Sequence, residues 1–430
     1  MKLLRSGLWR GAGALVLATT AANLGNYLVN LFLGRWLGPA GFSEVSLLVT
    51  LVLLLSIATT TLSLVISRFT AIAVADGSDE RVADLRRSAS RAALVAGIVL
   101  GGLLAIGSGA LASAFQLSSP MPLVVVGVSL PAFLLLGVDR GILQGQLRFE
   151  RLGATYVVEM VVRLVASVAL VVAGYAAIGA AVAIALSIAA AWTVGLGAGR
   201  GLPAARGIGR DGWRLLGAAA AGAIIGLLGQ TLIANSDVLV VKGSFPPAEA
   251  GTYAAVALVG RAIFFATSSL SMVMFPIVAG RARRGEPHVQ LLVAAVALVM
   301  GACAVATAIC FAVPGLVLGV LFGDAYAGGS ALLGLCALAT SCFAGAALVA
   351  TYRLSLGSAG GNALLLAAGV LQLIGLLTFR ETLQQVVLVQ VVIAAGLLVA
   401  TIVEARLAMT RDASRVRTLH PTTDPLAEPA

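Results

Sequence analysis

Twelve mainly apolar runs follow one another from near the N-terminus to residue 405, separated only by short polar breaks. A helix needs about 20 apolar residues to cross a hydrocarbon core about 30 Å thick, so each run is long enough for one pass. The runs cover approximately 12–33, 42–67, 90–113, 121–144, 154–174, 176–197, 212–233, 250–279, 289–313, 327–351, 361–379 and 384–405. They lack the period-two alternation of membrane β-strands, which leaves the helix as the way to satisfy backbone N–H and C=O groups in lipid. The predicted fold is all-α and integral to a membrane, with 12 transmembrane helices. Charged residues make up only 11% of the chain, against about a quarter of a soluble domain. The net charge of +10 is carried in short clusters between runs rather than on one soluble face, so no nucleic-acid partner is expected.

Those clusters alternate. With the N-terminus in the cytoplasm, 23 of the 28 Lys and Arg residues fall in the N-terminal segment, the even-numbered loops and the tail. The second loop alone holds Arg68, Arg81, Arg86, Arg87 and Arg91, and the fourth holds Arg140, Arg148 and Arg151. Only Arg35, Lys242 and Arg380 fall on the other side, while Arg163 and Arg261 lie within runs. A multi-pass protein with both termini cytoplasmic is expected. The N-terminal "MKLLRSGLWRGAGALVLATTAANLG" has the basic start and small residues of a signal peptide. Its apolar run continues through "YLVNLFL", however, and the internal repeat uses it as a helix. Cys303, Cys310, Cys336 and Cys342 sit in runs 9 and 10 without metal-ligand grouping with either histidine, and read as small core residues. No cofactor or metal is expected.

The stretch "NSDVLVVKGSFPPAEAGTYAAVALVGR", Asn235 to Arg261, repeats the pattern of "NYLVNLFLGRWLGPAGFSEVSLLVT", Asn26 to Thr50. Asn26 aligns with Asn235, and Gly41 with Gly251 after a one-residue shift. Each copy ends a run in polar residues, turns at proline and opens another run. Repeats of this kind in membrane proteins give two similar lobes with a pathway between them. Six runs per half make the copies enter from the same side, so two parallel six-helix bundles are expected: residues 1–205, residues 206–410 and a disordered cytoplasmic tail, 411–430. "GRGLPAARGIGR" is the natural linker.

Residues facing the pathway should mark polar helix faces. Thr19, Asn23, Asn26 and Asn30 step along one face of run 1; Ser56, Thr60, Ser63 and Ser67 do so in run 2; Tyr156, Glu159, Arg163 and Ser167 do so in run 5. Arg261 and Ser268 lie seven apart in run 8. Serine and threonine can instead bond back to their own helix, and Glu159 can neutralise Arg163 at i, i+4. A mid-membrane charge normally faces water, a partner or a ligand. Arg261 has no acidic partner on its own run, and a cavity-facing role is expected for it. Asp237, Glu249 and Glu44 read as solvated residues of the mouth.

"LGRWLGPAGFSEVSLL", "GILQGQLRFERLGATYVVEMVVRL" and above all "NSDVLVVKGSFPPAEAGTYAAVALVGR", with Phe275-Pro276 closing run 8, resemble the oligosaccharide flippases, or polysaccharide biosynthesis transporters, of the multidrug/oligosaccharidyl-lipid/polysaccharide (MOP) exporter superfamily. The resemblance extends to about residue 405. It implies a V-shaped pair of MATE-like six-helix lobes that moves lipid-linked sugar precursors across a bacterial cytoplasmic membrane by alternating access. It also implies a basic central cavity, onto which Arg163 and Arg261 map. The two extra C-terminal helices of the lipid II flippase branch are absent, and that substrate is not assigned.

A polyprenyl-linked glycan suits such a cavity, because Asn, Ser and Thr can replace water around sugars while guanidinium groups pair phosphate oxygens. The candidate substrate-binding residues are therefore Arg261, Arg163, Glu159, Asn23, Asn26, Asn30, Thr60, Tyr156 and Ser268. Glu159 is also the candidate for H⁺ or Na⁺ coupling. Expected partners are the lipid-linked glycan, membrane lipids and glycan-assembly proteins. A drug or cation exporter of the same superfamily is the alternative, although it should carry more intramembrane carboxylate than arginine. A membrane glycosyltransferase or glycan polymerase would need acidic catalytic residues and a sizeable external segment; no such arrangement is visible, so the chain is not expected to be an enzyme.

Overall fold

The computed structural model describes residues 2–204, 207–283, 289–356 and 360–419. The described chain is helical throughout: α1 (Lys2–Ala75), α2 (Asp79–Ile106), α3 (Ser108–Ala114), α4 (Met121–Gly145), α5 (Phe149–Val172), α6 (Ala176–Gly195), α7 (Arg210–Ser244), α8 (Pro247–Arg283), α9 (Val289–Ala312), α10 (Pro314–Leu321), α11 (Ser330–Ser355), α12 (Gly360–Thr378) and α13 (Leu383–Leu419). Among the described residues, 11 helices are long and apolar enough to cross a membrane. One of them, Gly13–Ala75, has 63 residues. At about 1.5 Å per residue it would measure about 95 Å if straight, some three hydrocarbon thicknesses.

It is not straight. Gly38 breaks α1 with φ 66° and ψ 177°, a backbone region that essentially only glycine enters. Pro39 follows, and its fixed φ suits the first turn of a new helix. Runs 1 and 2 are thus joined by a one-residue kink, where the sequence suggested a loop; glycine supplies the turn and proline restarts the helix, so no loop residues are needed. In the second copy the join is a true break. Phe245 is extended (φ −118°, ψ 157°) between the end of α7 and the start of α8 at Pro247.

In the first half α1, α2, α4, α5 and α6 pack on one another, and in the second α7, α8, α9, α11, α12 and α13 do so. Contact across the halves runs chiefly through α1, against α7 and α8. There Val29, Leu33, Phe42 and Val45 share one core with Val238, Val241, Tyr253, Ala254, Phe322 and Tyr326. The two repeated motifs therefore touch each other. Gly251 lies so close to the Pro39 carbonyl that a Cβ at this position would overlap it. The linker is tied to the first half, with Gly207 N–H donating to Asp84 Oδ1 at 2.7 Å and Ile208 N–H to Ser88 Oγ at 2.9 Å. α13 continues to Leu419, into the stretch expected to be tail, and residues 420–430 lie outside those described.

Candidate functional site

Among the described residues, two of the polar centres that interrupt this apolar packing bear on the site, one in each half. In the first, α5 turns Glu159 and Arg163 toward α4 and α1. Glu159 accepts from Arg163 Nη2 at 2.6 Å and from Arg140 Nη2 at 2.7 Å, so one carboxylate holds two guanidinium groups. Arg163 also donates through Nη1 to Asn26 Oδ1 (3.2 Å) and through Nε to Ser187 Oγ (3.3 Å). All three of its nitrogens therefore have partners. Arg140 donates to Thr155 Oγ1 at 3.0 Å, and its Cζ lies 3.9 Å above the Tyr156 ring. A carboxylate with two charge-assisted bonds, framed by hydroxyl and amide groups, is a well-satisfied ionic cluster.

The expected face of run 1 divides. Asn26 joins the cluster, Asn30 Nδ2 folds back onto the Asn26 carbonyl at 2.8 Å, and Asn23 is exposed. Thr19, Ser56 and Ser67 bond to carbonyls of their own helix, and Thr60 is exposed. Ser268 belongs to α8, but its side chain lies outside those described.

The second centre is a cavity of about 200 Å³ lined by Gln230, Asn235 and Asp237 of α7, Arg261, Phe264 and Phe265 of α8, Thr340 and Phe343 of α11, Gln372 of α12 and Gln390 of α13. Among the described residues, Leu53 alone reaches it from the first half. Arg261 Nε and Nη2 meet no hydrogen-bond partner among the described residues. Asp237 is within electrostatic reach of Arg261, yet no ion pair joins them. The reading of Asp237 as a solvated mouth residue is corrected: it is 4% exposed and accepts from Tyr253 OH at 2.7 Å, while Gln390 Nε2 donates to that same hydroxyl at 2.6 Å. The physical reason is that α7 continues to Ser244, which places Asp237 inside the helix rather than beyond it. Glu249 is exposed, as expected of a mouth residue, and Glu44 is half-buried, accepting from the Ser118 N–H and hydroxyl at 2.9 and 3.0 Å.

Sequence reasoning missed Arg140, Asp237, Gln372, Gln390 and Tyr253. It also assigned Lys242 to an outer loop, whereas Lys242 lies in α7, 1% exposed, and donates to Ser43 Oγ at 2.9 Å and weakly to the Gln116 carbonyl at 3.5 Å. With Tyr326 OH donating to the Gly34 carbonyl at 2.6 Å and the Phe42, Phe322 and Tyr326 rings in contact, Lys242 closes a seam between the halves at the Gly38 end. Cys303, Cys310 and Cys336 are buried and free. Among the described residues no group of three His, Cys, Asp or Glu side chains is placed to hold a metal ion.

The architecture is shared with solved transporters. The chain superposes with a TM-score of 0.79 on the inward-facing conformation of a multidrug resistance MATE family transporter of the MOP superfamily, at 12% identity, covering 92% of this chain and 96% of that one. On an outward-facing conformation of such a transporter the TM-score is 0.62, at 15% identity and covering 93% and 96%. A MOP superfamily transporter from Pyrococcus furiosus, described as having a binding pocket of reverse polarity that suggests a different function, gives 0.55 at 14% identity, covering 94% and 95%. At these identities the likeness concerns the fold. No curated protein matches the sequence. The model of the polysaccharide biosynthesis protein family, by contrast, matches residues 8–280, more than half of the chain. The chain is a member of the polysaccharide biosynthesis protein family.

Proposed function

We propose that this protein is an alternating-access transporter that flips or exports a polyprenyl-(di)phosphate-linked oligosaccharide, or a related polysaccharide precursor, across the bacterial cytoplasmic membrane. α1 then counts as two passes, giving twelve, with residues 1–205 and 206–410 acting as the two lobes of a V. The Gly38 end is the extracytoplasmic one by the distribution of arginine, and the closed seam there makes this the state open to the cytoplasm. The higher TM-score on the inward-facing relative supports that reading.

One observation carries the substrate class: Arg261 lines the cavity of the second half, and two of its N–H groups have no hydrogen-bond partner among the described residues. A guanidinium in that position is suited to paired phosphate oxygens. Arg163, whose nitrogens are all engaged, holds the first centre together, and Glu159 serves it as the shared carboxylate. The second reading, a drug or cation exporter of the same superfamily, has the structural comparisons on its side, since the relatives of like fold are described as multidrug MATE transporters. Asp237 favours it as well, because a buried carboxylate in the cavity could receive a cation.

The two are separated in proteoliposomes, with a fluorescent polyprenyl-diphosphate glycan in one assay and a fluorescent organic cation in the other. Glycan flipping that is lost in Arg261→Ala and partly kept in Arg261→Lys is the expected result. Cation transport that survives Arg261→Ala and is lost in Asp237→Asn, with no glycan movement, would establish the second reading instead.

A further inference from the structure

Away from both centres, three guanidinium groups converge on the end of α6. The Gly197 carbonyl accepts from Arg151 Nη1 at 2.9 Å and, weakly, from Arg148 Nη1 at 3.5 Å. Two residues further on, the Arg86 guanidinium lies against Gly199, and a Cβ at either glycine would overlap an arginine. Glycine at both positions is what lets the groups come so close. Arg200 follows and is exposed.

A helix end attracts cations because its last carbonyls lack partners. One N–H from each of Arg148 and Arg151 meets that need, but their charge is left over. The Asp139 carboxylate is already taken by Arg86 Nε at 2.9 Å and by a hydrogen bond with the Trp192 side chain. Arg148 and Arg151 form no ion pair among the described residues, and Glu150, between them in sequence, is exposed and pairs with neither. A guanidinium carries five N–H donors, so most of theirs remain for an acceptor from outside the chain. Arg148 is exposed and Arg151 half-buried, which leaves them within reach of one.

The surroundings are apolar as well as basic. Leu147, 53% exposed, immediately precedes Arg148, and Leu196, 44% exposed, immediately precedes Gly197. A water-soluble phosphate would answer the arginines but leave both leucines uncovered. A zwitterionic lipid would cover the leucines but bring its own cation to the arginines. An anionic phospholipid answers both, and basic pockets between membrane helices bind such headgroups.

We propose that this end of the first half is a headgroup site for an anionic phospholipid of the adjoining leaflet, cytoplasmic by the distribution of arginine. Arg148 and Arg151 pair the phosphodiester, Leu147 and Leu196 meet the acyl chains, and Arg86, fixed by Asp139, holds the α6 end beside them. The site lies in the other half from the cavity containing Arg261, and it does not depend on which cargo crosses.

The test uses the full-length protein, with native mass spectrometry of lipids retained from mixed micelles and melting in phosphatidylcholine nanodiscs with and without phosphatidylglycerol. Wild-type protein is expected to retain phosphatidylglycerol about tenfold or more over phosphatidylcholine, a factor that two surface arginines can supply, and to melt higher when it is present. Arg148→Gln combined with Arg151→Gln should remove both effects while phosphatidylcholine is retained as in the wild type. Leu147→Ser should lower phosphatidylglycerol retention without changing melting in phosphatidylcholine alone. Should the double variant not fold, Arg148→Gln alone decides, because that exposed side chain makes only a weak contact within the chain. A lower melting temperature in phosphatidylcholine with an undiminished response to phosphatidylglycerol would mean that the arginines only cap α6, and overturns the site. Displacement of the lipid by glycerol 1-phosphate, its free headgroup, or retention of undecaprenyl phosphate in place of phosphatidylglycerol, overturns it as well.

Discussion

Glu159 has two guanidinium partners, and this changes what its loss should do. Removing Arg163 leaves the carboxylate paired with Arg140, whereas removing Glu159 strands two part-buried cations at once. Breaking a buried ion pair by deleting one partner costs about 3–5 kcal/mol. Glu159→Ala is therefore expected to lower the melting temperature in detergent more than Arg163→Ala does. Adding Arg163→Ala to Glu159→Ala should not restore stability, because Arg140 remains unpaired; full recovery by the double variant would show that Arg140 takes no part. The i, i+4 pair itself was legible in the sequence, since helical spacing brings 159 and 163 together whatever else the chain does. Arg140 was not, because it comes from another helix and its place depends on how α4 packs on α5. Its position next to a basic loop drew it into the count of cytoplasmic charges. Asp237 was misplaced for a related reason. The polar triplet Asn235-Ser236-Asp237 looks like the end of a helix, and only tertiary partners such as Tyr253 and Gln390 let the helix continue through it.

Among the helices, the apolar runs were readable from hydropathy alone, because lipid leaves so few ways to satisfy a backbone. Their ends were less so. α8 begins at Pro247 and α13 continues to Leu419, past the apolar stretch that announced each of them. The join between the first two runs was readable as a turn but not as a kink, since a Gly-Pro pair marks both. Gly38→Ala forces a Cβ into a backbone region reserved for glycine, at a cost of about 1–3 kcal/mol. It should lower the melting temperature and, by disfavouring the bend that presents Phe42 and Ser43 to the second half, loosen the seam. Labelling Ser43→Cys with a membrane-impermeant maleimide checks the latter. Slow labelling is expected in the Gly38 background and faster labelling with Gly38→Ala, and identical rates would mean that the bend does not set the seam.

For the whole molecule the outstanding expectation is orientation. A cytoplasm-active reporter fused after Arg87 or Arg210 and an export-active reporter fused after Ser118 or Phe245 should each be active; a reversed pattern at any site would place a helix on the wrong side. In the proposed transport cycle, the contact between Gly251 and the Pro39 carbonyl would lie at the joint that opens. Most packed surfaces have side chains that can change rotamer and yield by degrees. Here backbone meets backbone with no side chain between them, and closely packed interfaces are bistable rather than continuously deformable. Gly251→Ala should therefore not produce a seam slightly ajar but a protein held in its other state, with rapid labelling at Ser43→Cys. In a transporter of the proposed kind a half-open exit would let ions leak past the cargo, and a joint with only two settings would keep the membrane insulated while the cargo crosses.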